Sequence, residues 1–189
     1  MVEENNYNRA ESHGHDAHHH GVHGHVNRGN PSGLISSLVP SRVEAIADIG
    51  CGSGFYSKYL LEHAERVYCI DINESSLLAA SEEIKSDRLV CINSPASNTN
   101  LPSKSVNIVF MANSFHDMDN KPAVVEEISR ILSDDGRIII IDWKKDSDFG
   151  PPQSLKMSQE DYLRCFKGFV LEKSMDIEPQ HYCMVLKPH

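Results

Sequence analysis

The stretch Ala47–Leu60, ADIGCGSGFYSKYL, decides the fold. An apolar run ends in three glycines on alternate positions, Gly50, Gly52 and Gly54, and then passes into residues of helical character. A strand that turns sharply into a helix needs glycine where the dihedrals are unusual and where a side chain would block the approach of a ligand to the backbone. The helix entered after Gly54 presents unpaired amides and the positive end of its dipole.

Outward from this loop the chain alternates. Upstream, Asn30-Pro31 reads as a helix start, and Leu34, Ile35, Leu38 and Val39 recur at helical spacing until Pro40. Strands are predicted over Glu44–Ile49, Val67–Ile72, Leu89–Asn93, Val106–Met111 and Arg137–Asp142. The helices between them are predicted over Gly54–Arg66, over Glu74–Lys85 with Leu77, Ser81 and Ile84 marking turns, and from Asn120 through Leu132. Asp135-Gly136 reads as a turn and Ser158–Phe166 as a last helix. Two strands close the chain, Val170–Ser174 and His181–Leu186, the second expected at a sheet edge. Strands separated by helices imply right-handed βαβ crossovers, and two successive strands at the end imply an antiparallel hairpin. The fold class is therefore α/β, a three-layer sandwich of helices on both faces of a mostly parallel sheet. A ligand in such a sheet sits beyond the carboxyl ends of the strands, where strand order reverses.

The glycine spacing narrows the ligand. A dinucleotide fingerprint has a third small residue three positions after the second glycine, to pack helix on strand, but Phe55 stands there. This speaks against the alternative of an NAD-dependent oxidoreductase. Asp48 precedes the loop, and Asp71 ends the next strand in VYCIDIN, where a carboxylate can accept hydrogen bonds from both hydroxyls of a ribose. The expected ligand is adenosine-like, held without a pyrophosphate cradle.

Together with later segments, these residues resemble the class I S-adenosylmethionine-dependent methyltransferases, particularly the small type 11 group. The resemblance runs from about Ile35 to the C-terminus, through DIGCGSG, Asp71, LPSKSVNIVF, Phe115-His116 with Asp119, and SRILSDDGRIIIID. It implies a Rossmann-like, seven-stranded sheet with an antiparallel last pair and S-adenosyl-L-methionine as cofactor. Gly50, Cys51, Gly52 and Gly54 would lie near the methionine part, Asp48 and Asp71 along the same edge with Asp71 on the ribose, and Ile72 against the adenine. The chain departs from the family where an acid usually reads the adenine amino group. Ser97 stands there with Asn98 beside it, so an amide or a backbone carbonyl has to accept that hydrogen bond. Asn107 replaces the Asp that commonly opens the fourth strand.

Methyl transfer from a sulfonium is an in-line displacement whose leaving group needs no proton, so the protein mainly aligns the reactants and excludes water. A base is needed only for a protonated acceptor. His116, beyond the fourth strand, has an unperturbed pKa suited to that role, and the competing reading is a histidine that hydrogen-bonds a loop. Asn113 is a candidate cofactor contact, and with Ser114 it is placed to position an acceptor, while the cap of the following helix is read at Asn120 or at Asp119. Trp143 reads either as a pocket wall or as packing, and Lys144-Lys145 as a solvated pair beside the pocket. No N/D-P-P-Y motif follows the fourth strand, which disfavours amino-group methylation of adenine or glutamine. A small-molecule acceptor is expected.

Composition sets the remaining bounds. Lys plus Arg number 18 against 27 Asp plus Glu, a net charge of −9 that disfavours nucleic acid. The longest apolar run, Ile138–Ile141, is too short for a membrane span, and the polar, acidic N-terminus lacks an export signal, so the expected compartment is cytoplasmic. The five cysteines are dispersed, which argues against a disulfide framework and predicts reduced thiols. Residues 1–30 hold seven of the 11 histidines and almost nothing apolar, so they are expected to form a disordered tail ahead of a domain at 31–189. In that tail His13, His15, His18, His19 and His20 form a candidate site for a transition-metal ion, which leaves a second alternative, a non-enzymatic metal-binding protein.

Overall fold

The structure, a computed structural model, describes residues 30–189. The histidine-rich segment with His13, His15, His18, His19 and His20 lies outside the described residues. The first helix, α1 (Pro31–Leu38), starts where expected, with the Asn30 side chain accepting from the Gly33 amide at 3.0 Å. The chain continues through β1 (Val43–Ile49), α2 (Ser57–Leu60), β2 (Ala64–Asp71), α3 (Glu74–Ile84), β3 (Leu89–Asn93) and β4 (Val106–Ala112). A 3₁₀ turn over Phe115–Asp117 leads into α4 (Lys121–Ile131) and β5 (Leu132–Trp143). Then come α5 (Gln159–Cys165), opened by a reciprocal Ser158–Asp161 capping box, and the hairpin β6 (Phe169–Ile177) with β7 (His181–Pro188).

The seven strands form one sheet in the order β3-β2-β1-β4-β5-β7-β6, parallel except around β7. Side chains alternate across a strand, so β5 feeds two cores. Ile138 and Ile140 pack with Val124, Ile128, Ile131, Tyr162 and Phe166 of α4 and the α5 region. Ile139 and Ile141 pack with Ile35, Leu38, Tyr56 and Leu60 on the opposite face. Strands buried on both faces read as unbroken apolar runs, which is why IIII forms a central strand.

Several expectations are corrected. The helix predicted to reach Arg66 ends earlier. Only Ser57–Leu60 is α-helical, and mixed three- and four-residue turns carry the chain to His63 before Ala64 pairs with Val43 in the sheet. In α3 the inward residues are Leu77 and Ala80, while Ser81 is exposed. Asp135-Gly136 does not separate helix from strand. It belongs to a bulge in β5, between the pairs Val106↔Leu132 and Ile108↔Arg137. Asn120, not Asp119, occupies the N-cap of α4, and Lys121 Nζ donates to the carbonyls of His116 and Met118. The strand with Tyr182 and Cys183 is inside the sheet, and β6 forms the edge.

The cysteines bring a further correction. Cys51 and Cys69 form a disulfide with Cα atoms 5.4 Å apart, whereas Cys91, Cys165 and Cys183 are free. Spacing does not reveal the pair, because it arises from register: Asp48 lies beside Cys69 in the parallel sheet, and the loop folds Cys51 back onto it. With 18 residues of separation, the cross-link is worth about 3 kcal/mol in the loop-closure picture. Intact-mass measurement of unreduced protein is expected to show the loss of two hydrogens, and Cys69→Ser to lower the melting temperature. Equal melting temperatures with and without reductant would count against the cross-link.

Candidate active site

The glycine loop leaves β1 at the point where neighbouring strands run off to opposite sides, β2 on one and β4 on the other. Its amides are docked on β2: those of Gly50 and Cys51 both donate to the Ile70 carbonyl, at 2.8 and 3.3 Å. Gly50, Gly52 and Gly54 all have positive φ, at 72°, 54° and 79°. Their surroundings differ. A Cβ on Gly50 would lie 2.4 Å from Ser114 Cβ, so this glycine lets the loop touch the end of β4. On Gly54 it would meet Ile84 Cδ1 at 2.8 Å and Ala80 Cβ at 3.1 Å. Gly54 thus performs the close packing for which the dinucleotide pattern had pointed to position 55. A Cβ on Gly52 would meet nothing within 4 Å. That open face of backbone is the feature a bound ligand requires.

Asp71 closes the crevice. Its Oδ2 accepts from the Gly52 amide at 2.8 Å and its Oδ1 from the Asn73 amide at 2.9 Å. Next to it Ile72 is 72% exposed, a large aliphatic side chain left facing solvent at a strand end. The segment after β3 is stitched to the same edge, because Ser94 N donates to the Asp71 carbonyl and Asn93 Nδ2 to the Ile72 carbonyl, at 3.2 and 3.0 Å. Ser97 is half-buried and Asn98 exposed on that segment. Across the loop, Asn113 follows β4 with φ 53°, and its buried Oδ1 lacks a hydrogen-bond partner among the described residues. The loop thus brings Gly50, Gly52 and Asp71 together, with Ile72 and Asn113 at either side.

Two residues expected to touch a ligand sit elsewhere. Asp48 is only 2% exposed, and its Oδ2 accepts from Ser57 Oγ at 2.6 Å beneath the loop. Burial, partly offset by Ser57 and reinforced by the Asp71 charge, pushes its pKa up to about 7. Cys51 is turned toward β2 by its disulfide. Both support the crevice from behind.

His116 is 3% exposed. Its Nδ1 contacts both carboxylate oxygens of Asp142, at 2.9 and 3.0 Å, and its Nε2 lies 3.3 Å from Asp117 Oδ2. Burial lowers its pKa, but the hydrogen bond and charge of Asp142, helped by Asp117, outweigh burial and leave the pKa raised. Asp142 is itself fixed, accepting from the Trp143 amide at 2.7 Å and from the Tyr162 hydroxyl. In this geometry the imidazole anchors the 3₁₀ turn to β5 and, through Asp142, to α5, with Nδ1 on Asp142 and Nε2 facing Asp117. Ser114 donates to the Ile49 carbonyl at 2.9 Å. Trp143 is packed, its ring 4.0 Å from that of His181 and covered by Gly150. Lys144 and Lys145 pair with Asp176 and Asp161.

Sequence reading missed Ser57, Asp142, Tyr162 and the pair Glu127–Arg130. Only Glu127–Arg130 has a local signal, opposite charges three residues apart on a helix. Among the described residues no cluster of His, Cys, Asp and Glu suits a metal, and no helix is long and apolar enough to cross a membrane.

A mostly parallel sheet with a glycine crevice and a carboxylate at the next strand end defines a nucleoside-cofactor-binding α/β protein. Comparison with known proteins makes this specific. Residues 47–140 match the family described as "Methyltransferase domain", type 11. A crystal structure from Sulfolobus solfataricus, described as a "putative type 11 methyltransferase", is similar at 43% identity and TM-score 0.78, over 85% of this chain and 93% of that one. An Aquifex aeolicus SAM-dependent methyltransferase shares the fold at 24% identity and TM-score 0.78, over 85% of this chain and 90% of that one. A rice (Oryza sativa subsp. japonica) protein named "Probable tocopherol O-methyltransferase, chloroplastic" is 26% identical over 140 residues, 69% of this chain and 39% of the relative. The chain spans 42% and 39% of the length of the two curated relatives it matches. The chain belongs to the type 11 methyltransferases, whose cofactor is S-adenosylmethionine.

Proposed function

We propose that the chain transfers a methyl group from S-adenosylmethionine to a small-molecule acceptor. The observation that carries this reading is the open backbone at Gly52, hydrogen-bonded to Asp71 and flanked by exposed Ile72. These groups fit the cofactor. Asp71 keeps lone pairs for two ribose hydroxyls, Ile72 offers an apolar face to a flat base, and the unpartnered Asn113 oxygen suits a cationic or N–H group. Gly50 and Gly52 line the methionine side, with Asp48, Cys51 and Gly54 shaping the loop, while Ser97 and Asn98 stand on the adenine side.

When bound, the cofactor supplies an electrophilic methyl group on a sulfonium. The chain has to hold the acceptor in line with it and keep water out. Asn113 and the 3₁₀ turn border the space beyond β4 where an acceptor would sit. His116, held by Asp142, keeps that turn in place. It becomes a base only for an acceptor that displaces Asp117 from Nε2. The net charge of −9 weighs against nucleic acid as acceptor, and the name of the rice relative supports a small one. Phe55 weighs against a hydride-transferring enzyme. We place the protein in the cytoplasm, with its methyltransferase domain at 31–189, and give the histidines that precede it in the sequence at most an accessory role with metal ions.

Calorimetric titration with S-adenosylhomocysteine tests the reading: saturable, micromolar binding with a rise in melting temperature is expected. Tighter binding of NADH, or no heat with S-adenosylhomocysteine, would defeat it.

A further inference from the structure

An adenine site without a carboxylate must draw its selectivity from somewhere else. The 6-amino group donates hydrogen bonds, and a neutral acceptor rewards it only when held at the right place and angle. The segment after β3 carries the neutral candidates, the Ser97 hydroxyl and the Asn98 amide, on a turn over residues 95–98 closed by Asn98 N donating to the Pro95 carbonyl at 3.0 Å. Nothing in this short segment makes it rigid by itself.

Rigidity arrives from α4. Thr99 is fully buried, and both its amide and its hydroxyl donate to Glu127 Oε1, at 2.8 and 2.6 Å. The hydroxyl also accepts from the Leu101 amide at 3.3 Å. Glu127 is 7% exposed. Its charge is met by Arg130, whose Nε donates to Oε2 at 2.7 Å and whose Nη2 donates to Oε1 at 2.8 Å. The same guanidinium donates to the Leu101 carbonyl at 2.7 Å and to Ser103 Oγ at 3.1 Å. One ion pair thus grips the segment at positions 99, 101 and 103, directly downstream of Ser97 and Asn98. The Arg130 hydrogen bond and the Thr99 donors hold the Glu127 carboxyl down at about 2 in spite of its burial, so the grip is charged throughout the neutral range. The partners more than offset the cost of burying this carboxylate, and they also fix the shape of the segment that they hold.

We propose that Glu127 is a positioning residue for adenine recognition. Acting through Thr99, it fixes the segment over residues 94–99 so that the Ser97 hydroxyl and neighbouring neutral oxygens accept the 6-amino group. The proposal rests on the cofactor reading above and deepens it. It places the positioning carboxylate on α4, 28 residues from Thr99 in sequence.

The test compares S-adenosylhomocysteine with S-inosylhomocysteine, whose 6-oxo group cannot donate, by calorimetry on the full chain. Thr99→Val removes the hydroxyl with little change of shape, and Thr99→Ser restores it. The valine variant is expected to lose about tenfold in affinity for the adenine compound, the worth of one well-placed hydrogen bond, and under about twofold for the inosine compound. Serine restores the preference. Glu127→Gln, which keeps an acceptor for Thr99 but loses the charge, shifts the ratio in the same direction. Equal weakening of both compounds, or an unchanged ratio, overturns the proposal and leaves Glu127 as scaffold. A wild-type protein that binds neither compound overturns the cofactor reading itself.

Discussion

Asp71→Ala is expected to raise the dissociation constant for S-adenosylhomocysteine by about a hundredfold or more, while the far-ultraviolet circular dichroism stays that of the wild type. A carboxylate that accepts from a ribose diol makes charge-assisted hydrogen bonds, each worth about 1.5–3 kcal/mol. Two of them amount to two or more decades of affinity. The substitution also releases the Gly52 and Asn73 amides, which now converge on this side chain at 2.8 and 2.9 Å. The loop therefore loses a tie on the crevice side, while Gly50 N and Cys51 N stay bonded to the Ile70 carbonyl. Asp71→Asn separates the two effects: its single oxygen can serve the loop or the ribose but carries no charge, so an intermediate loss is expected. A change of less than about threefold in the alanine variant would mean that the ribose is read elsewhere.

The same residues show what a linear sequence reveals. The alternation of strand and helix was legible because short unbroken apolar runs give way to apolar residues three to four apart, and because glycines mark the turn after β1. Boundaries failed where tertiary register decided them. Ala64 joins the sheet because Val43 is beside it, and the β5 bulge exists because five steps from Leu132 to Arg137 oppose two from Val106 to Ile108. The crevice was legible for a similar reason: Gly50, Gly52 and Gly54 are contiguous, and Asp71 ends the next strand. Residues that act from a distance were not. Thr99 meets Glu127, and Asp142 meets both His116 and Tyr162, only after helices pack on the sheet. His116 was legible by residue type and place, but the Asp142 carboxylate that holds its Nδ1 was not. The Cys51–Cys69 bond belongs with these, a product of strand pairing and not of spacing.

Asp48→Asn is expected to make the unliganded protein more stable near pH 8 and to change it little near pH 4. The sign follows from linkage. Burial raises the Asp48 pKa from 3.8 to about 7 in the folded state. Below the lower value both states are protonated, so the group contributes nothing. As pH rises from 3.8 toward 7 the unfolded chain ionises while the folded one keeps its proton, and stability falls. Above that window the deficit is constant at about 4 kcal/mol, one pKa unit being worth about 1.4 kcal/mol. Asparagine keeps an oxygen for the Ser57 hydroxyl and removes the titration. Urea unfolding of both proteins at several pH values should show free-energy curves that diverge between pH 4 and pH 7 and run parallel above. Parallel curves throughout would mean that Asp48 ionises normally. A cost of this size beneath a ligand crevice is intelligible if a positive ligand offsets it, because an opposite charge nearby favours the ionised form. S-adenosylmethionine carries a sulfonium that its product lacks. The ratio of substrate to product affinity in the wild type should therefore climb as pH rises through 7, and Asp48→Asn should flatten that climb.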